Sequence, residues 1–216
     1  MEAMEGADYN REVVPHRVIP PRILVASSNP KKLAELRPLF EGLPTEVVGP
    51  ESPLPEVIED AETFAGNAEK KAREIAAHTG IATLADDSGL EVDALGGAPG
   101  VRSARFSTDA GRRAEPDRDG ANNALLLERL HGRADRGARF RCVLALVLPS
   151  GEVVATADGT VEGTILEAPR GSGGFGYDPL FVPEGEERTM AELTAAEKAA
   201  LSHRGRAARR LRSLLE

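Results

Sequence analysis

An α/β domain built on a mixed β-sheet is the fold class the sequence predicts, from three observations. "RILVAS" is an apolar run of strand length that passes through "NP" into apolar residues at helical spacing. "IATLA" is a second such run, placed directly after another helical pattern. "ARFRCVLALVLPSGEVVATADGTVEGTIL" reads as long strands joined by a Pro-Ser-Gly turn, an antiparallel addition that a purely parallel sheet lacks. The chain has 216 residues, 41% of them hydrophobic, enough to bury one substantial core.

Residues 1–21 are set aside as a loose leader. The segment has no apolar h-region of a secretory signal, and Pro15, Pro20 and Pro21 disfavour regular structure. A single domain is expected over residues 22–216. After "RILVAS", Asn29 stands as N-cap and Pro30 at the first helical position, with Leu33, Leu36 and Phe40 on the inner face. A short strand at "TEVVG" and a Pro-rich loop precede a second helix, whose buried face is Phe64, Ala68, Ala72, Ile75 and Ala76 and whose stop is Gly80. The strand "IATLA" is expected to end at Asp86 and Asp87. "SGLEVDALGGAPGVRSARFS" is too irregular for one element, and "STDAGRRAEPDRDG" is polar enough for an exposed loop. Leu125, Leu126 and Leu130 mark a further helix, and the long strands follow. "TMAE" and "TAAE" both have capping-box spacing, and Ser202 is placed to cap the last helix through "RRLRSLL".

A net charge of -8 argues against broad electrostatic binding to nucleic acid or to an anionic membrane, though it leaves room for one small basic pocket. No apolar run is long enough to span a bilayer. The single cysteine, Cys142, lies in the apolar run "FRCVLALVL", which suits a buried reduced thiol and a cytoplasmic setting.

Four segments bring together groups that could carry chemistry. The first is "SSNPKK", comprising Ser27, Ser28, Asn29, Pro30, Lys31 and Lys32. On a strand-to-helix loop its hydroxyls, amide, backbone N–H groups and lysine charge favour phosphate. A capped helix with solvated lysines is the competing reading, and a Walker A loop is excluded because its Gly-Lys-Ser/Thr ending is missing. The second is acidic: Glu59, Asp60 and Glu62 before the Ala-rich helix, and Asp86 with Asp87. Mg²⁺ prefers oxygen ligands and commonly takes only one or two carboxylates, whereas acidic residues ahead of a helix also simply favour its N-terminus. Successive side chains on an extended segment point oppositely, so the two aspartates should do different jobs, one toward a metal and one bracing the loop.

The third segment, "GSGGFGYDP", contains G-x-G-x-x-G. Tyr177, Asp178 and Pro179 stand where the dinucleotide fingerprint requires a helix, so a binding loop is the reading kept. Phe175 and Tyr177 can stack on a base or pack a core edge. The fourth, "EKAALSHRG", sets Lys198, His203 and Arg204 around a helix start. Such donors suit a carbonyl-bearing base or a phosphate, or form an ordinary basic helix end. Arg206, Arg209, Arg210 and Arg212 read as a solvated face.

Taken in order, "SSNPKK", "TFAGNAEKKA", "ADDSGLEVDALGGAPGVRSARFS", "GGFGYDPLF" and "AELTAAEKAALSHRG" resemble the inosine triphosphatase family of noncanonical purine nucleoside triphosphate pyrophosphatases, from about Arg22 to the C-terminus. The resemblance implies an elongated mixed sheet with flanking helices, two lobes around a nucleotide cleft, a homodimer, and Mg²⁺-dependent hydrolysis of an NTP to NMP and pyrophosphate. It also implies roles. Ser27, Asn29 and Lys32 match a Ser/Thr-x-Asn-x-x-Lys phosphate loop, Asp87 matches the central catalytic carboxylate, acting as base or as metal ligand, Glu59 an acidic metal position, and Lys71 a lysine facing the phosphates. Ser88, Phe175, Gly176, Tyr177, Asp178, Lys198, His203 and Arg204 match substrate contacts. Donors such as His203 and Arg204 would accept the C6 oxygen of inosine or xanthosine and mismatch the C6 amine of adenosine. The leader and the loop after Ser107 lie outside the pattern.

Three other readings compete. A Maf-type pyrophosphatase with another base preference is opposed by "SHRG". A silent nucleotide-binding module would need neither Glu59 nor Asp87, and both are present. A nucleic-acid-binding protein using the C-terminal arginines is opposed by the net charge and by an aromatic content of 4%.

Overall fold

The structure, a computed structural model, describes residues 19–27, 29–112 and 117–216. β1 (Arg22–Val25) leads into α1 (Pro30–Leu36), where the Asn29 carbonyl accepts the Leu33 N–H at 3.3 Å and so occupies the expected cap position. Pro38 has no N–H to continue the α-helix, and the chain tightens into a 3₁₀ turn over Arg37–Phe40. β2 (Glu46–Val48) and a long loop precede α2 (Phe64–Thr79). The side chain of Thr63 caps α2, rather than any of the acidic residues ahead of it, by accepting the Gly66 N–H at 3.1 Å. Left-handed Gly80 closes the helix as expected.

β3 (Ala82–Val92) corrects the sequence reading. It does not stop at the aspartates but runs through them, because β4 (Gly137–Val147) offers a continuous antiparallel partner, with Asp86 opposite Leu144, Asp87 opposite Val143 and Ser88 opposite Cys142. The irregular chain after β3 holds 3₁₀ turns and the short α3 (Phe106–Asp109), and α4 (Arg118–Arg129) carries Leu125 and Leu126 inward. β5 (Val153–Ile165) completes the expected hairpin with β4, and β6 (Phe181–Pro183) adds an edge. Of the two capping-box spacings only Thr194–Glu197 is realised, at the start of α5 (Ala195–Leu201). Thr189 spends its hydroxyl on the Arg170 carbonyl and starts no helix. Ser202 caps α6 (His203–Leu215) through the Gly205 N–H at 3.0 Å.

The six strands form one mixed sheet in the order β2-β1-β3-β4-β5-β6, parallel across β2, β1 and β3 and antiparallel beyond. β3, β4 and β5 are long enough to serve two lobes. In one, Ile23, Leu84, Leu144 and Leu146 pack beneath α6, while Leu24, Ala85, Val143 and Ala145 meet the apolar face of α2 on the other side. In the other lobe, Leu90, Val92, Phe140 and Val161 pack with Leu126, Leu130 and Phe181. α6 lies close on β5 because Gly159 has no side chain: a Cβ there would collide with the His203 carbonyl and be 2.5 Å from the Ala207 nitrogen. Packing reaches ahead of Arg22, since Ile19 touches the core and the Pro20 carbonyl accepts the Thr45 hydroxyl at 2.7 Å. The rest of the expected leader, residues 1–18, lies outside the described residues. Among the described residues no helix is long and apolar enough to cross a membrane.

Candidate active site

Where the two lobes meet, a cavity of about 550 Å³ opens. Ser27, Asn29 and Lys32 reach it from the β1–α1 connection, Lys71 from α2, Ser88 from β3, Phe175 to Asp178 from the loop before β6, and Lys198, His203 and Arg204 from the α5–α6 junction. The parallel pair β1 and β3 brings the N-terminus of α1 to this opening, the usual ligand crevice of an α/β sheet. Ser27 turns its hydroxyl onto the Asn29 N–H at 3.1 Å. Ser28 lies outside the described residues, and of Pro30 and Lys31 only the helical backbone is described.

The aspartates split across the sheet as their alternation requires. Asp86 is 2% exposed, and its Oδ2 meets Lys32 Nζ at 2.9 Å, Arg204 Nη2 at 3.2 Å and the Ser88 hydroxyl at 3.3 Å. Burial alone would raise its pKa, but Lys32, Arg204 and Lys71 outweigh burial and hold the carboxyl well below the usual carboxylate range. Asp87 points the other way, toward α2. Its Oδ2 accepts from Asn67 Nδ2 at 2.9 Å and its Oδ1 from the Ser88 N–H at 2.9 Å. Burial pushes this carboxyl up to about 6; the Asn67 hydrogen bond opposes the shift, and the neighbouring charges of Glu59 and Asp86 add to it. Asp86 is therefore a permanently charged brace, while Asp87 is poised to exchange a proton near neutrality.

Glu59 and Asp87 are not on the cavity wall itself; they lie beside it, next to Lys71. Lys71 Nζ pairs with Glu59 Oε1 at 2.7 Å and sits 3.5 Å from the Asp86 carbonyl. Its pKa rises despite burial, because Asp86 and Glu59 are close. Among the described residues no group of three or more His, Cys, Asp and Glu is arranged to hold a metal. Glu59 and Asp87 offer oxygen donors only, the chemistry that suits an ion completing its shell from phosphate and water.

The opposite end of the cavity is aromatic and basic. The His203 ring stacks on Phe140, with centroids 4.8 Å apart and planes 13° apart, and its Nδ1 is buried without a hydrogen-bond partner. Burial and the nearby Arg204 and Lys198 charges hold His203 well below its ordinary pKa, so the ring is neutral. Arg204 is 1% exposed and mostly committed already, to Asp86, to Ser88 Oγ at 3.0 Å and to Glu35 Oε2 at 2.5 Å. Phe175 lies against Lys198 Nζ, 4.6 Å from the ring centroid, and faces the opening. Tyr177 instead joins the core and donates its hydroxyl to the Ser103 carbonyl at 2.9 Å.

Glu35 and Asn67 escaped the sequence reading. Glu35 bridges Lys198, at 3.0 Å, and Arg204, joining α1 to the α5–α6 junction. Asn67 is 1% exposed on the apolar face of α2 and holds both Asp87 and the Ala61 N–H. For Asn67 the available signal was a polar residue on a face of apolar spacing; Glu35, off the apolar face of α1, gave none.

A phosphate-favouring helix end, two lysines and a raised carboxyl beside a buried charged one define a nucleotide-handling α/β protein. The pattern of the Ham1 family matches residues 23–214, and the chain belongs to that family. A dITP/XTP pyrophosphatase from Anaeromyxobacter sp. (strain Fw109-5) is 53% identical, over 90% of this chain and 96% of the relative. Another, from Mycobacterium bovis, is 54% identical, over 86% and 91%. The solved HAM1 protein from Coxiella burnetii superposes with a TM-score of 0.80 at 40% identity, covering 90% of this chain and 98% of that one.

Proposed function

We propose that this chain hydrolyses the noncanonical purine nucleoside triphosphates dITP, ITP and XTP to the monophosphate and pyrophosphate, removing them from the nucleotide pool. One observation carries the chemistry: Asp87, raised to about 6, stands next to Glu59 and Lys71 at a cleft headed by the N-terminus of α1. The triphosphate is held by α1, Ser27, Asn29 and Lys32, with Lys71 on its flank. Asp87 orients a water toward the α-phosphorus and takes its proton, while Asn67 keeps the carboxylate in place. Lys32 and Lys71 stabilise the charge that develops on the phosphate oxygens as pyrophosphate leaves. Glu59 and Asp87 would hold Mg²⁺, which when bound would neutralise phosphate charge.

At the other end His203, Phe140 and Phe175 line the cavity and surround the base. Lys198 and Arg204 fix that end through Glu35 and Asp178. A homodimer, a cytoplasmic location and the absence of nucleic-acid binding belong to the same reading. The buried Cys142 fits a reducing compartment, and sedimentation velocity checks the dimer. A panel of dITP, ITP, XTP, ATP and GTP with Mg²⁺ tests the substrate class. Turnover of the first three should exceed that of ATP by about 10² or more, the discrimination a hydrogen-bonding site can reach. Equal turnover of ATP and ITP would overturn it.

A further inference from the structure

We infer that Asp119 is a positioning residue that works together with Asn123. The pair holds Gly176 by both of its backbone polar groups and so sets the Phe175 ring at the base end of the cleft, an inference that rests on the nucleotide reading given above. Asp119 and Asn123 stand one turn apart on the same face of α4. Asp119 Oδ2 accepts the Gly176 N–H at 2.7 Å, and Asn123 Nδ2 donates to the Gly176 carbonyl at 2.9 Å. Gly176 has φ +61°, a left-handed turn that needs outside support to hold one direction. On the far side of the turn the Phe175 N–H donates to Asp178 Oδ2 at 2.8 Å, and that same oxygen takes Lys198 at 2.7 Å. The loop is thus tied to α4 on one flank and to α5 on the other, with the Phe175 ring between. The Asp119 carboxylate is not needed to start its own helix, since Asp117 caps α4 by accepting the Gly120 N–H at 2.8 Å. It is aimed at the loop instead.

The test compares the full-length enzyme with Asp119→Ala, Asp119→Asn and Asp117→Ala, using amide hydrogen exchange over residues 174–178 and the KM and kcat for ITP. Asp119→Ala should speed exchange and raise KM by about tenfold each, as loss of one well-placed acceptor implies, with kcat within about twofold of wild type. Asp119→Asn keeps an acceptor oxygen and should restore both readouts. Asp117→Ala should lower the melting temperature while leaving both readouts in place, which separates clamping from helix stability. Unchanged exchange in Asp119→Ala, or failure of Asp119→Asn to rescue it, overturns the clamp. Faster exchange with an unchanged KM overturns its link to the base. A wild-type enzyme inert toward ITP would instead refute the nucleotide reading, and the exchange measurement alone would then decide the clamp.

Discussion

Two adjacent aspartates with opposite environments make the sharpest predictions at the scale of single residues. Asp87→Asn keeps the shape and the Asn67 contact but removes charge and basicity, so kcat for ITP should fall by at least about 10²-fold. Its stability should move the other way. The folded pKa of Asp87, about 6, lies above the ordinary 3.8, so its ionised form costs nothing below about 3.8, progressively more up to about 6, and the full amount above that. That amount is on the order of 3 kcal/mol. In chelator at neutral pH, Asp87→Asn should therefore melt at or above the wild-type temperature. Asp86→Asn should do the reverse: it leaves Lys32 and the buried Arg204 short of a counter-charge, so stability should fall by about 3 kcal/mol with a milder loss of kcat. The opposite ranking in paired melting and turnover assays would mean the two roles are exchanged. His203→Ala should shrink the preference for ITP over ATP by about tenfold while sparing kcat for ITP. An unchanged preference would remove His203 from the base pocket.

At the scale of elements, the α5–α6 junction delivers Lys198, His203 and Arg204, and it turns on Ser202, which receives the Gly205 N–H as cap and gives its own N–H to the Lys198 carbonyl. Ser202→Ala should cost about 1 kcal/mol and roughly 2–4 °C in Tm, with a rise in KM because the residues behind the cap are ones proposed to touch substrate. A KM unchanged at the lowered Tm would separate the cap from the site. Ser202, Thr194, Gly80 and the apolar face of α2 were legible because capping and helical periodicity are local. The full length of β3 was not. Its second half, "DDSGLEV", holds charged and glycine residues that propensity assigns to a turn, and it remains a strand because β4 pairs with it residue by residue. Glu35 and Asn67 were missed for the same kind of reason, since their partners lie far along the chain and only the fold brings them together.

For the whole molecule, a sheet shared by two lobes leaves its buried chemistry out of solvent except at the cleft. Cys142 is fully buried at the middle of β4, and burial pushes its thiol up to about 12. It should stay inert to a thiol reagent in the native protein and titrate only on unfolding; rapid native labelling would contradict the core packing. Removing residues 1–18, which lie ahead of the packing at Ile19, should leave kcat/KM unchanged, and a tenfold fall in a folded truncation would give the leader a role. The most direct measurement is product analysis of ITP turnover with Mg²⁺, scoring nucleotide and phosphate species together. The proposed mechanism, with the triphosphate held at α1 and Asp87 acting at the α-phosphorus, predicts IMP and pyrophosphate as the first products. IDP and orthophosphate in their place would contradict that geometry.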